Sequence, residues 1–176
     1  KVLILLSKFI ILLYNDYNHR VMYNVNRLQY KAVGEVVGMK NILFIASEAV
    51  PFIKTGGLAD VAGSLPKYFD KRYFDIRVIL PKYACMKQEW KDKMEYVTHF
   101  YMDLGYKNCY VGILQMEYDG IKFYFIDNEY YFSGPKPYDS APWDLEKFAF
   151  FSKAVLSVLP VIDFRPDIIH CHDWQT

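Results

Sequence analysis

Two short runs of this chain carry residues able to do chemistry. The first, Lys54-Thr55-Gly56-Gly57-Leu58-Ala59-Asp60, sets an ammonium, two adjacent glycines and a carboxylate side by side. A lysine and a glycine pair at the entrance to a helix suit an anion. Free backbone N–H groups and the helix dipole attract negative charge there, and glycine lets a phosphate or sugar approach the backbone closely. The ammonium adds a point charge able to neutralise a diphosphate. Neither G-x-x-x-x-G-K-[S/T] nor G-x-G-x-x-G is present, so this is not one of those phosphate loops. On the physics alone, a tight turn with a solvated lysine accounts for the same residues equally well.

The second run, His170-Cys171-His172-Asp173-Trp174, lies near the other end. His170-x-His172 invites a metal reading, but the two rings are expected on opposite faces of a strand, unable to share an ion, and no metal site is assigned. His170 is read as a packed core histidine and Trp174 as packing. Asp173 is an acid at a strand's carboxyl end, where it can hydrogen-bond sugar hydroxyls. Cys171 has no base beside it and is not read as a nucleophile. Glu48 is placed to shape the first loop. His99 is read as structural, and Tyr130-Tyr131-Phe132 as packing.

These runs need elements to position them. Asn41 to Ser47 is a continuous apolar run, the pattern of a strand covered on both faces in a parallel sheet. Leu58, Val61, Ala62, Leu65 and Phe69 recur at helical spacing, with Pro66 bending or shortening the helix. Residues 75–80 form a second parallel strand, making a right-handed βαβ unit. Residues 96–104, 110–118 and 121–126 read as strands, the last two joined by a tight Asp119-Gly120 turn. Residues 127–138 read as a loop. Asp144 caps a helix carrying Leu145, Phe148, Ala149, Phe151, Ser152, Val155, Leu156 and Leu159. Ile168 to Cys171 is a short buried strand. The fold class is α/β: a mostly parallel sheet with an antiparallel hairpin insertion. In such sheets ligands bind beyond the carboxyl ends of the strands, where both runs fall.

Composition narrows the function. The 176 residues are 53% hydrophobic and 23% charged, enough for one domain with a core. A net charge of +1 gives no basic footprint for nucleic acid. Three cysteines with no C-x-x-C pair argue against a disulfide scaffold or structural zinc and for a reducing, cytoplasmic setting. Composition shifts near Met39. Residues 1–38 hold five basic against two acidic side chains, a net of +3, and the remaining 138 carry a net of −2. The opening apolar run is interrupted by Lys8 and is short for a membrane span. Residues 1–38 are expected to be a leader outside the fold, residues 39–176 the domain, and the chain a fragment of a longer protein.

From Met39 to Thr176 the sequence resembles bacterial glycogen synthases and starch synthases, retaining glycosyltransferases of the GT-B type. The likeness is carried by Ser47-Glu48-Ala49-Val50-Pro51, Lys54 to Val61, Phe164-Arg165-Pro166-Asp167 and His170 to Trp174. It implies a Rossmann-like GT-B N-terminal domain and transfer of glucose from ADP-glucose to the non-reducing end of an α-1,4-glucan. It implies that Lys54 binds the diphosphate, that Gly56 and Gly57 lie against phosphate and donor glucose, and that Asp60 belongs to the donor pocket. It also implies that Tyr138 sits in a substrate-facing loop and that Asp173 lies near the reacting glucose. No cofactor or metal is implied. The partners implied are ADP-glucose, the glucan acceptor and a C-terminal domain carrying further catalytic residues, so the chain alone is expected to be inactive. Another GT-B glycosyltransferase, or a binding module without catalysis, are the alternatives.

Overall fold

The computed structural model describes residues 3–6, 9–12 and 38–176. Six strands and four helices arise from residues 40–171. They are β3 (Lys40–Ile45), α1 (Gly57–Ser64), β4 (Phe74–Pro81), α2 (Gln88–Lys91), β5 (Glu95–Leu104), β6 (Lys107–Tyr118), β7 (Ile121–Asp127), α3 (Glu129–Phe132), α4 (Ala141–Val158) and β8 (Ile168–Cys171). Two four-residue strands precede them, β1 (Leu3–Leu6) and β2 (Phe9–Leu12). The sheet order is β2-β1-β8-β3-β4-β7-β6-β5.

β1, β8, β3, β4 and β7 run parallel, while β2, and β6 between β7 and β5, run antiparallel. The mostly parallel sheet with an antiparallel hairpin is therefore the observed architecture, with β7 serving as a central parallel strand beside β4. The expectation that residues 1–38 stand outside the fold falls largely outside the described residues; the eight described before residue 38 pair at the sheet edge beside β8.

The central strands are apolar throughout because both faces are covered. Leu43, Phe44, Val78, Ile79, Leu80, Phe123, Phe125 and Ile126 are fully buried. Phe52, from the loop after β3, sets its ring edge-on to Phe123 and Phe125, so that loop is anchored in the core. Pro66 acts as expected: α1 stops at Ser64 and a 3-10 turn, Leu65–Tyr68, takes over with Pro66 in its first turn. Val61, read as apolar-face, is exposed, and the buried face is Ala59, Ala62 and Gly63. Gly63 is required by close approach, since a Cβ there would lie 2.3 Å from the Val50 carbonyl oxygen.

The Asp119-Gly120 turn has φ of 50° and 69°, as a two-residue hairpin demands. Three expectations are corrected. Residues 127–138 are not all loop, because Asn128 caps a short helix by accepting the Tyr131 N–H at 3.1 Å. The helix expected from Asp144 starts at Ala141, with Ser140 at the cap and Pro142 in the first turn. Its buried face is also rotated, with Leu145 and Leu156 exposed and Asp144 and Lys147 buried.

Candidate functional site

The loop Ala46–Gly56 leaves the carboxyl end of β3 and enters α1. Lys54 is exposed, and its Nζ donates to both oxygens of Asp60, one turn into α1, at 2.7 and 2.8 Å. Lys54 and Asp60 are thus brought together. Gly56 occupies the N-cap with extended backbone and supplies no side-chain cap to α1. A Cβ at Gly56 or Gly57 would meet nothing within 4 Å, and neither has a positive φ. Nothing in the protein's own packing therefore demands glycine at those two positions. Their bare backbone leaves room for something to lie against it.

Glu48 does more than shape the loop. It is 3% exposed, yet accepts the Thr55 N–H and the Thr55 hydroxyl, the latter at 3.0 Å, fixing the loop just before the glycine pair. Tyr138 arrives from the segment before α4. Its hydroxyl meets Ser47 Oγ at 2.8 Å and donates to Glu48 Oε1 at 3.2 Å. Burial, with the neighbouring Glu48 carboxylate adding to it, raises the Tyr138 phenol to about 12, so it stays protonated. Lys54, Gly56, Gly57, Asp60 and Tyr138 are accordingly linked through one loop and one buried carboxylate.

Asp173 follows β8, at the same edge of the sheet. It is exposed, holds a φ of 66° and accepts the Trp174 N–H at 2.8 Å. Asp tolerates that left-handed conformation better than most residues, and it turns the chain directly after β8. Among the described residues no hydrogen bond joins the Asp173 side chain to the Lys54 loop. The facing expected for the two histidines is corrected. Residues two apart on a strand share a face, and the rings of His170 and His172 stack at 4.3 Å with Phe44 beside them. Burial lowers both imidazoles, His172 to about 4 with His170 adding repulsion, so the pair is neutral near pH 7. Trp174, read as packing, is more than half exposed and sets its edge on Phe148.

Three buried polar atoms lack a partner among the described residues: Tyr83 Oη, His172 Nε2 and Gln175 Oε1. Each follows the carboxyl end of a parallel strand, β4 or β8. Such orphans are rare in a finished interior and mark this end of the sheet as the unusual one. Lys147, absent from the sequence reading, is 1% exposed on α4 and holds the segment that carries Tyr138. Its signal was there to see: a lysine between Asp144 and Phe148 on the stripe that continues through Phe151 and Val155. The surface concavity of about 780 Å³ lies elsewhere, beside β6 and α3, where Tyr101, Tyr110 and Tyr130 line it.

Comparison with known proteins gives the family and the fold. The family model for the starch synthase catalytic domain matches residues 41–176. Glycogen synthase of Lachnospira eligens is 68% identical over 138 residues, and that of Lachnoclostridium phytofermentans 67%. In both cases the match covers 78% of this chain and 29% of the relative. Among solved structures, the catalytic domain of starch synthase IV from Arabidopsis thaliana bound to ADP and acarbose superposes with a TM-score of 0.68 at 32% identity. That match covers 79% of this chain and 29% of the other. The chain spans less than a third of the length of these relatives. It belongs to the starch synthase catalytic domain family.

Proposed function

We propose that this chain is the N-terminal portion of a glycogen synthase, whose whole form moves glucose from ADP-glucose to the non-reducing end of an α-1,4-glucan with retention. One observation carries the reading: an exposed ammonium and two unfilled glycine positions stand at an uncapped helix start, beyond a parallel strand. Such a place stabilises the phosphates of a nucleotide-activated sugar. Lys54 neutralises the diphosphate, and Gly56 and Gly57 let it reach the backbone amides. Asp60 holds Lys54 in register until the anion arrives. Tyr138 presents its loop to the substrate, and Asp173 accepts hydroxyls of the reacting glucose. The ADP seen in the starch synthase IV structure supports the choice of nucleotide.

Breaking the glucose–phosphate bond separates charge. The departing diphosphate gathers negative charge while the sugar becomes oxocarbenium-like, so cationic and amide donors at the phosphates lower the barrier directly. This chain supplies one side of that environment. A second domain, in the part of the relatives beyond this match, supplies the other. The isolated 176 residues therefore do not turn over. The three free cysteines fit a reducing, cytoplasmic setting. No helix among the described residues is long and apolar enough to cross a membrane. We place the domain boundary at residue 39, with the preceding segment outside the catalytic unit.

The test is transfer of labelled glucose from ADP-glucose to glycogen by the full-length protein, by its Lys54→Ala variant and by this chain alone. Full activity is expected only in the first, with the variant strongly reduced and the chain alone inactive. Undiminished transfer by the variant, or robust transfer by the chain alone, would refute the reading.

A further inference from the structure

Lys147 lies on the buried face of α4, which also carries Phe148, Phe151 and Val155. Its ammonium donates to the Pro137 carbonyl at 2.6 Å and to Asp139 Oδ2 at 3.0 Å, and it lies 2.7 Å from Asp144 Oδ1. The ammonium is thus held by one backbone carbonyl and two carboxylates. The Asp144 carboxylate in turn accepts the Asp139 N–H at 3.1 and 3.0 Å. The peptide groups on both sides of Tyr138 are thus tied to one turn of α4.

From Tyr138 the contacts continue without a gap. Its hydroxyl holds Glu48, and Glu48 holds the Thr55 N–H immediately before the glycine pair. A buried ion cluster of this kind is a poor source of net stability, because desolvating the charges offsets their attraction. What such a cluster does well is fix geometry. We propose that Lys147 is a positioning residue: through the 137–139 segment, Tyr138 and Glu48, it holds the Thr55–Gly57 backbone in the orientation that receives the donor's diphosphate. This rests on the reading of that loop given above. Lys147 itself touches no substrate.

The experiment uses the full-length protein and Lys147→Met, which keeps most of the side chain's length and removes its charged group. Deuterium exchange is followed in a peptide spanning 53–58, with one spanning 104–118 in the hairpin as internal control. Exchange in 53–58 is expected to rise about tenfold, and the KM for ADP-glucose with it, while 104–118, kcat and the KM for glycogen stay within about threefold. Lys147→Arg should recover most of both effects. Equal loosening of both peptides, or unchanged exchange in 53–58, would overturn the proposal, since a merely structural lysine acts on the whole domain. Should Lys147→Met not fold, Asp139→Asn removes one partner more gently. It is then expected to show the same pattern at about threefold, and no change in 53–58 would be equally fatal. Selective loosening in a protein whose wild type ignores ADP-glucose would leave the clamp standing and remove the functional reading instead. Unchanged exchange beside normal ADP-glucose kinetics would do the reverse.

Discussion

The carboxyl end of β3 and the β5–β6 hairpin belong to one sheet and are held by different means. Beyond β3, the buried Ser47 and Glu48 meet the half-buried Tyr138 across separations of 91 and 90 residues. The hairpin is secured largely by contacts between residues near in sequence, with α4 reaching it through Glu146 to Lys107 and Lys153 to the Asp103 carbonyl. Tyr96 Oη and His99 Nδ1 are 2.6 Å apart, Asn108 donates to Asp103 at 2.9 Å, and the rings of His99 and Tyr110 stack at 5.3 Å across the strands. Cross-strand pairs of this kind stabilise a sheet additively and in small increments. A buried polar network is satisfied or broken as a unit. The first arrangement can hold a loop in one exact pose for a ligand. The second tolerates change, and its tyrosines at 96, 101 and 106 stand exposed.

Four measurements would break or sharpen that contrast. The largest effect is expected from Lys54→Ala in the full-length protein, a loss of about a hundredfold or more in kcat/KM for ADP-glucose. Tyr101→Ala on the hairpin should stay within about twofold of wild type. Comparable losses from the two would erase the distinction between the regions.

Next comes Gly63→Ala. The new methyl would drive into the Val50 carbonyl at 2.3 Å and displace the loop from α1, costing about 3 kcal/mol of stability. Urea denaturation of this chain measures it. An unchanged midpoint would show that α1 and the loop are not packed as described.

The third concerns pH. His172 is held near 4 in the fold against an ordinary value of 6.5, chiefly by burial. The unfolded chain therefore binds a proton that the folded chain refuses. His172 contributes stability that is present above about pH 6.5 and lost as pH falls towards 4, by about 2–3 kcal/mol in all. Denaturation of wild type and His172→Phe at pH 7.5 and 5 isolates this share. The substitution should flatten the profile, and parallel profiles would mean that His172 titrates alike folded and unfolded.

The smallest effect is expected in the hairpin. Gly105, at φ 61° with no atom near its missing Cβ, should lose only about 1 kcal/mol on change to Ala, the backbone's own preference. A loss as large as that of Gly63→Ala would mean that the hairpin turn is as tightly constrained as the loop against α1.

How much could be read in advance differs along the same line. Strands β3, β4 and β8, the Asp119-Gly120 turn and the break at Pro66 are legible because each is written in neighbouring residues: apolar runs, a turn pair, a missing N–H. The Lys54–Asp60 run is legible for the same reason, its donors and glycines being contiguous. The start and the buried face of α4 were misjudged because tertiary packing chose which stripe faces inward. The two histidines share a face by strand geometry alone, so their stacking required no tertiary information.

The amino-acid sequence by itself determined strands β3 to β8, the anion-seeking turn after β3 and the family to which the chain belongs, since all of these rest on short-range pattern. Only the tertiary structure decided that Lys147 ties down the segment of Tyr138, that Tyr138 reaches Glu48, and that Glu48 holds Thr55. Those contacts join residues far apart in the chain, and buried charges take whatever partners the folded interior brings within hydrogen-bond reach.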